Sequence, residues 1–259
     1  MKKIFFLIVI LIPTFQFAQN NYVLEYSHTN SNDFTCKSYL YSNDKECLYK
    51  IGDNRPSGEI VTKTGGVGFL TNDEMSEFFY CTNNMSYHRF LYDNLEWFYT
   101  DQLENKLNWT INNNKKKTIN QYNCTEAKLK INGRNFTVWF TYDVPFKYGP
   151  LKLHNLPGLI VEITEDTNFI KISLTSYKKT KTLNEFLNYK KYIANWKNMS
   201  DYQVFTNDLS KHQISLKLKA LAFAKEMKSD DTSFYSDEYA FNYFLDVPNN
   251  LLESLKKMR

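Results

Sequence analysis

The sequence contains none of the short motifs that mark the common catalytic sites. There is no GxSxG, no HExxH, no GxGxxG and no phosphate-binding loop. Histidine occurs four times, and no two histidines have the HxH or HxxxH spacing that places two metal ligands on one face. These absences argue against the hydrolases, metalloenzymes and nucleotide-binding proteins that such motifs identify. We expect no metal and no cofactor, and we lean away from an enzyme.

An excess of one charge is also lacking. The chain has 32 Lys and Arg against 28 Asp and Glu; without the N-terminal Lys2 and Lys3 the balance is 30 to 28, a net charge of +2. A chain this close to neutral argues against binding to nucleic acid or to an anionic membrane surface. Only 8 Gly stand beside 19 Tyr and 20 Phe, which excludes a disordered or collagen-like chain.

The one long apolar run lies at the N-terminus. Lys2 and Lys3 precede apolar residues 4–12, and the small residue Ala18 follows. This pattern predicts a secretory signal peptide over residues 1–18, with an N-terminal anchor as the alternative. The run is too short for a stable membrane span of about 20 residues. We therefore expect an exported protein, periplasmic or secreted, that is soluble after removal of residues 1–18.

Cysteine is scarce, and its spacing excludes the common cysteine motifs. No pair has the CxxC spacing of a redox site or of a structural zinc site. An even number in an exported chain suggests two disulfides, with three possible pairings, and free buried thiols are the alternative. The disulfide candidates are Cys36, Cys47, Cys81 and Cys124.

Alternating apolar and polar residues dominate the chain up to residue 181. Between residues 135 and 141, for example, Phe136, Val138 and Phe140 face one way and the residues between them the other. The pattern predicts a mainly β protein, with an antiparallel curved sheet or open half-barrel over residues 19–181. Its aromatic interior could be a filled core or a hydrophobic trough. Helical spacing from Leu183 onward predicts a helical or irregular C-terminal third, residues 182–259, packed on the sheet.

Several local predictions accompany this fold. Asn132-Gly133 is a strong signal for a hairpin turn, and residues 118–131 are predicted to form one long strand with a central irregularity. The polar residues 112–117 are typical of a solvated hairpin tip. Residues 52–68 are expected to form a surface loop. Two helical stretches are expected near residues 183–190 and 216–227, followed by an amphipathic segment at residues 251–258.

The stretch around which the chain is organised is residues 148–166. It holds a Gly-Pro turn at 149–150, a predicted short strand, a Pro-Gly turn at 157–158 and a predicted buried strand over residues 159–163. Pro at the second and Gly at the third position of a turn favour type II, which requires φ > 0 at Gly158. The structural motif consists of Gly149, Pro150, Leu156, Pro157, Gly158, Leu159 and Ile160.

This stretch resembles the GLPGLI family of exported Bacteroidetes proteins. The resemblance rests on Cys124, Ala127, Trp139, Thr141 and Pro145, followed in order by the motif residues just named. Two positions depart from the family pattern: Asn120 or Gln121 stands where the family tends to Gly, and Asn155 stands where the name-giving hexapeptide has Gly. Asn tolerates φ > 0 better than other non-Gly residues, so the change at 155 is mild.

The resemblance implies an exported protein of unknown function. It also implies a pattern similar to periplasmic half-barrel lipoprotein carriers and a possible outer-membrane transport partner. It supplies no catalytic residues.

Three residues are candidates for ligand contact, namely Trp139, Tyr142 and His154. Because several acidic residues follow it, His154 could bind a metal. The simpler role is a local hydrogen bond in a turn. Asp143 is expected to cap a turn. The sequence predicts a non-catalytic binding or scaffolding module for an apolar ligand, a peptide or an envelope partner. The alternative is a periplasmic hydrolase or peptide-processing factor that uses His154 or Asp143.

Overall fold

The computed structural model describes residues 21–226, apart from residues 31–34, 44, 53–57, 62–66, 71–76, 93–94, 103–106, 132, 168–169 and 198. The predicted signal peptide and the amphipathic segment at 251–258 lie outside the described residues. Within them the protein is mainly β, with two helices near the C-terminal end of the described range. The strands before the first helix are β1 (Asn21–Asn30), β2 (Thr35–Ser42), β3 (Cys47–Ile51), β4 (Gly58–Val61), β5 (Val67–Leu70), β6 (Glu77–Cys81), β7 (Met85–Tyr92), β8 (Leu95–Gln102), β9 (Thr110–Ile119), β10 (Tyr122–Ile131), β11 (Arg134–Thr141), β12 (Leu159–Glu165) and β13 (Ile170–Thr180). Helix α1 (Asn184–Asn195), strand β14 (Ser200–Asp201) and helix α2 (Tyr202–Glu226) follow.

Twelve of these strands form one open sheet. Their order is β14-β8-β7-β6-β3-β2-β1-β13-β12-β11-β10-β9, so β1 lies near the centre and pairs with β13 from the far end of the β region. All neighbours are antiparallel except the two-residue β14, which runs parallel to β8. Register shifts interrupt three of the pairings, and such bulges increase the local twist of a sheet. The predicted fold class, an antiparallel open sheet with a helical C-terminal part, is confirmed.

The sheet has two covered faces. The inner face carries Leu24, Tyr26, Tyr49 and Phe79 and packs against the connection between β11 and β12. The outer face carries a separate cluster around Phe78, which α1 covers with the side chains of Phe186, Tyr189 and Ile193. Within the described residues the inner face holds a continuous core of large buried side chains. Of the two alternatives for the aromatic interior, the described residues form a filled core and not a hydrophobic trough.

Helix α2 packs on the inner face at the β8 edge of the sheet. The Phe205 ring stacks on Tyr99 with centroids 4.0 Å apart, and Phe205 is almost fully buried. The side-chain oxygen of Asp201 accepts a hydrogen bond of 2.8 Å from the Val204 amide in the first turn. A carboxylate at this position satisfies a helix amide that has no backbone partner. The sequence placed this helix at 216–227, but it begins at Tyr202.

Three local predictions need correction. Residues 112–117 lie within edge strand β9 rather than at a hairpin tip, and the turn lies at Asn120–Gln121, where Ile119 pairs with Tyr122. Asn120 has φ 53°, which a two-residue hairpin requires, so the irregularity predicted within the strand 118–131 is a turn that separates two strands, β9 and β10. The predicted loop at 52–68 contains the β4–β5 hairpin. The turn before Arg134 is where Asn132-Gly133 predicted it, with Gly133 at φ 80°.

Candidate functional site

Residues 142–158, here called the motif loop, leave the sheet after β11 and return to it as β12. Thr141 and Leu159, on either side of the loop, are paired across the two strands. The Leu159 amide donates a hydrogen bond of 3.0 Å to the Val144 carbonyl, and the Asn155 amide donates one of 2.8 Å to the Lys147 carbonyl. The predicted short strand is reduced to one bridge between Tyr148 and His154. The loop is therefore a small hairpin folded back over the inner face.

Apolar side chains hold the motif loop against the sheet. Leu151, Leu153 and Leu156 are each no more than 3% exposed and belong to the inner-face core. Burying a leucine contributes about 1.5–3 kcal/mol, so three of them offset much of the entropy lost by ordering the loop. A connection buried to this degree is unusual, because most loops run over the surface.

The sequence predicted a glycine at position 158 because a type II turn needs φ > 0 there, and that reason was wrong. Among the described residues, the glycines with positive φ are Gly52 and Gly133; Gly158 is not one of them. The left-handed positions of the loop are Leu151, with φ 60°, and Asn155, with φ 65°. Gly158 is required by space instead, since a β-carbon there would stand 2.0 Å from the carbonyl oxygen of Thr141.

A pocket opens beside the motif loop. Its volume is about 360 Å³, and both ends of the loop contribute to its walls. Tyr22 from β1 and Asn43 from the β2–β3 turn complete it, so strands distant in sequence meet here. The lining residues are Tyr22, Asn43, Pro145, Phe146, Lys147, Tyr148, Leu156 and Pro157.

Lys147 gives this pocket, here called the motif pocket, a positive charge. Its ammonium donates a hydrogen bond of 3.0 Å to the side-chain oxygen of Asn83 and lies 4.9 Å from the centre of the Tyr148 ring. The Tyr148 hydroxyl donates to the carbonyl of Lys45 and lies 3.3 Å from the same Asn83 oxygen. Two turns of the sheet, before β3 and after β6, thus support the wall that carries the lysine.

The aromatic wall of the motif pocket is ordered by ring contacts. Tyr22 meets Phe146 edge-on, with centroids 5.5 Å apart, and stacks on Tyr177 at the same distance. The ammonium of Lys179 lies 5.7 Å from the centre of the Tyr22 ring. Burial raises the pKa of Tyr177 to about 12, so its hydroxyl stays protonated at neutral pH. The wall therefore offers aromatic surface and cations.

A second group of polar side chains is buried beneath the loop. Lys152 and Asp101 form an ion pair with an Nζ–Oδ2 distance of 3.2 Å, and their side chains are 1% and 4% exposed. The Lys152 ammonium also lies 5.6 Å from the centre of the Tyr202 ring, at the start of α2. This pair joins the motif loop, β8 and α2 at one point. Removing either charge would take an ion-pair partner from a buried group, which is costly.

His88 lies near the same ion pair. Its Nε2 is 3.2 Å from the Glu77 carboxylate and its Nδ1 is 2.7 Å from the Tyr99 hydroxyl. Burial first, and then the charge of Lys152, hold the pKa of His88 well below its usual value. Because a carboxylate can only accept hydrogen bonds, the neutral ring donates one from Nε2 to Glu77. Its Nδ1 then accepts a hydrogen bond from the Tyr99 hydroxyl. The imidazole is thus held in one tautomer by two partners.

The three predicted contact residues do not form one site. Trp139 lies on the outer side of β11, where the Lys117 ammonium sits 4.3 Å from its ring centre and pairs with Glu162 at 2.7 Å. Tyr142 is 49% exposed and makes an edge contact with Phe140 at 4.9 Å. His154 is only 4% exposed. A single ligand would not reach all three from one side of the sheet.

His154 and Asp143 serve the loop itself. The Nδ1 atom of His154 donates to the Lys152 carbonyl at 2.9 Å, and its own carbonyl accepts from the Trp109 indole at 2.8 Å. Burial lowers the pKa of His154 below its usual value. The Asp143 amide bonds the hydroxyl of Thr141 at 3.2 Å at the start of the loop. The contacts of His154 favour the local-structure interpretation of that residue, whereas at Asp143 it is the Thr141 hydroxyl that accepts a hydrogen bond from the turn amide.

The structure holds the cysteines as thiols, and two of them lie opposite each other. Cys47 on β3 pairs with Cys81 on β6, and both are about 1% exposed. Cys36 pairs with His28, and Cys124 pairs with Lys117 and Thr141. In the parts of the chain that are described, no group of His, Cys, Asp and Glu is arranged to hold a metal ion.

Sequence reasoning missed both the pocket and the ion pair. The pocket needed Tyr22 and Asn43, whose approach to residues 145–148 depends on the pairing of strands far apart in the chain. A sequence signal for the ion pair did exist. Lys152 stands between Leu151 and Leu153 in the predicted short strand, and a lysine that is buried with such neighbours requires a partner.

Comparison with known families and structures gives one family and a few distant folds. The family described as "N-glycanase peptide, N-terminal domain" matches residues 82–203, a little under half of the chain. No curated protein matches significantly. Neither described helix has the length and hydropathy that crossing a membrane requires.

Among solved structures, two crystal forms of PNGF-II are similar to this chain. They show 18% and 19% identity with TM-scores of 0.43 and 0.42, and each match covers 70% of this chain. The chain spans only 31% of the length of PNGF-II. A LolA superfamily protein from Nitrosomonas europaea is 6% identical over 69% of this chain and 93% of its own, with a TM-score of 0.27. These low TM-scores support no functional assignment.

Proposed function

We propose that this chain is an exported, non-catalytic binding module whose motif pocket holds a peptide segment with an apolar side chain next to an acidic group. The observation that carries the proposal is the motif pocket itself, where apolar walls stand beside a positioned ammonium. Its volume of about 360 Å³ is within the usual range of ligand sites, about 300–1,000 Å³. It would take one large side chain and the backbone around it.

The walls suit an apolar side chain. Pro145 and Pro157 are exposed at the pocket, whereas Phe146 and Leu156 are buried behind them. Two prolines in a binding wall have little conformational freedom to lose when a ligand binds. Asn43 brings amide groups to the same pocket, and its Oδ1 already accepts from the Lys45 and Glu46 amides. Apolar walls with few polar groups are what a peptide side chain and its backbone require.

The charge at the motif pocket selects an acidic neighbour for that side chain. Lys147 reaches the pocket, Lys179 lies against Tyr22, and the described lining residues include no Asp or Glu. A hydrogen bond from an ammonium to a carboxylate is about twice as strong as a neutral one. A carboxylate beside the apolar group would therefore bind better than its amide.

The hydrolase alternative has less support. His154 is committed to a hydrogen bond within its own loop, and burial first, then the charges of Lys147 and Lys152, lower its pKa. The Asp143 amide bonds Thr141 at the start of the loop, and Asp143 itself is exposed. A hydrolytic site needs a nucleophile and a base within reach of a substrate.

We also propose that the chain belongs to the GLPGLI family and that it is exported. Asn155, which stands where the name-giving hexapeptide has Gly, has positive φ, and this supports the resemblance; of Asn120 and Gln121, the two candidates for the other departure, Asn120 also has positive φ. The pattern of residues 1–18 supports export to the periplasm or beyond, and an outer-membrane transport protein is a possible source of the peptide segment. The similar family is named for an N-glycanase, so a glycan is a competing ligand to be tested.

The test is a titration of the mature protein with labelled octapeptides. Each peptide carries one Leu or Phe beside Asp, a matched set carries Asn instead of Asp, and a neutral oligosaccharide is a third arm. We expect saturable binding of the Asp peptides, weakened about tenfold by Lys147→Gln, which removes one charge-assisted bond. Lys128→Gln, an exposed lysine on β10, is the matched control and should leave the affinity unchanged. Equal binding of Asp and Asn peptides, or binding of the oligosaccharide alone, would overturn the proposal.

A further inference from the structure

Two cysteines face each other beneath the motif pocket. Cys47 begins β3 and Cys81 ends β6, and the strand register places them directly opposite. Residues opposite each other in antiparallel strands have Cα atoms about 4.5 or 5.5 Å apart, depending on the hydrogen-bonding position. The Cα atoms of disulfide-bonded cysteines are usually about 4.4–6.8 Å apart, and both separations lie within that range. Both residues are thiols in this structure, and the strand register places them at a backbone spacing that a disulfide can bridge.

We infer that Cys47 and Cys81 form a cross-strand disulfide that braces the wall of the motif pocket. Both side chains lie on the inner face and belong to the same buried core. Cys36 and Cys124 are placed differently, because the residues opposite them are His28 for the first, and Lys117 and Thr141 for the second. The register thus sets Cys47 opposite Cys81, and it does not set Cys36 opposite Cys124.

The position of this pair connects it to the pocket. The turn just before Cys47 contains Asn43, which lines the pocket, and Lys45, whose carbonyl accepts from Tyr148. The turn just after Cys81 contains Asn83, whose side chain accepts from Lys147 at 3.0 Å. A bond between the two strand ends would fix the spacing of both turns. This bracing role rests on the proposed function, whereas the bond itself does not.

The chemistry requires an oxidant and has a natural moment in folding. The Cys47 and Cys81 thiols lose two protons and two electrons, and a disulfide of a thiol–disulfide oxidoreductase accepts them and becomes two thiols. Burial above all, and the neighbouring Cys81 thiol, raise the pKa of Cys47, so little thiolate exists once the protein has folded. The bond should therefore form before the core closes. Burial should then protect it from reductants in the native state.

Peptide mapping of the exported, unreduced protein tests the bond directly. The protein is unfolded in urea with N-ethylmaleimide and digested with trypsin. We expect the fragment 46–50, which contains Cys47, to be linked to the fragment 64–89, which contains Cys81, until a reductant is added. Alkylation of all four cysteines without reduction, or a link from either residue to Cys36 or Cys124, would overturn the inference.

The bracing role is tested by hydrogen exchange. In Cys81→Ser we expect faster exchange at the amides of Leu153 and Asn155, which hold the motif loop in its hairpin, and a melting temperature lower by roughly 5–10 °C. Cys36→Ser, outside the pair, is the control and should leave exchange in the loop unchanged. Unchanged exchange in both variants would overturn the bracing role.

The octapeptide titration of Cys81→Ser then separates the two proposals. Weaker binding than in the unsubstituted protein supports the brace. Binding equal to that of the unsubstituted protein argues against it. If the unsubstituted protein binds no peptide, the proposed function fails, while mapping and hydrogen exchange still decide the disulfide and its brace.

Discussion

Gly158 lies so close to the Thr141 carbonyl that a β-carbon at position 158 would stand 2.0 Å from its oxygen and 2.8 Å from its carbon. Both atoms belong to the backbone where β11 ends, and a backbone contact has less freedom to move away than a side chain. The glycine of the Pro-Gly pair is thus needed for the close approach of two chain segments. That approach allows residue 159 to pair with residue 141 and closes the motif loop.

The first prediction concerns this contact. We expect Gly158→Ala to lower the free energy of unfolding by about 2–4 kcal/mol, because the methyl group would push β11 and β12 apart. Urea unfolding followed by circular dichroism measures the change. Gly52→Ala is the control: Gly52 has φ +81° but nothing within 4 Å of its β-carbon position, so it should cost only about 1 kcal/mol for backbone strain. Equal costs at the two positions would show that the close approach is not the cause.

The second prediction concerns the left-handed residue before the Pro-Gly turn. Asn155 has φ 65° and is exposed, so its side chain contributes little packing. Asn155→Gly should leave the melting temperature unchanged or raise it slightly, and Asn155→Ala should cost about 1 kcal/mol because alanine disfavours this φ. Thermal unfolding of the two variants side by side makes the comparison. A stable Asn155→Ala variant would mean that the loop adopts another turn.

The third prediction concerns the buried ion pair. Lys152→Met removes an ion-pair partner from the buried Asp101 carboxylate and should cost about 3–5 kcal/mol. Asp101→Leu should be costly for the same reason. The double variant should lose much less than the sum of the two, because neither charge is then left buried alone.

A surface pair provides the control for this double-mutant cycle. Lys211 and Asp208 are 3.3 Å apart on α2 with side chains 78% and 54% exposed. Lys211→Met should change the free energy of unfolding by less than about 0.5 kcal/mol. Additive costs for Lys152 and Asp101 would argue that the two charges do not depend on each other.

The fourth prediction concerns pH. Burial lowers the pKa of His28 from 6.5 to about 4, and it also lowers those of His88 and His154. Above pH 6.5 these rings are neutral in both the folded and the unfolded chain, so they add no pH dependence there. Below pH 6.5 these histidines bind protons in the unfolded chain but stay neutral in the folded protein. Stability should fall as the pH drops from 6.5 toward 4, with His28 alone contributing about 2 kcal/mol between pH 7.5 and pH 5.

Urea unfolding at these two pH values measures the loss. His28→Gln removes one titrating group and keeps a side chain able to bond the Tyr49 hydroxyl, which lies 3.1 Å from Nδ1 in the unsubstituted protein. The variant should lose less stability on acidification than the unsubstituted protein. An unchanged pH dependence would show that His28 is protonated in the folded protein.

Much of the fold was predictable because its causes are local. Alternation in β11 and the Asn132-Gly133 pair specify a strand and a turn through the periodicity of side chains and the φ that a turn needs. The helix after Leu183 followed from the same kind of pattern. Where two explanations fit one local pattern, prediction failed: residues 112–117 are polar both in a hairpin tip and on an exposed edge strand. Charged edge strands such as β9 also resist pairing with other chains.

The candidate site was much less predictable. Trp139 and Tyr142 were chosen for their aromatic rings, yet Trp139 alternates with the buried Val138 along β11 and is half-buried beside Lys117, not at the motif pocket. Tyr22, at the other end of the β region, became a pocket residue because β1 pairs with β13 and so lies near the motif loop. No pattern within a short window carries that information.

Three features could be predicted from the sequence alone: the class of fold, the helical C-terminal part and an irregular backbone at residues 155–158. Each depends on the conformational preferences of neighbouring residues. Tertiary structure decided why Gly158 must be glycine, which cysteines face each other and where Lys152 finds its counter-ion. Each of those depends on two segments far apart in the chain meeting at a distance of a few ångströms. Strand register and packing set such distances, and composition and local spacing do not.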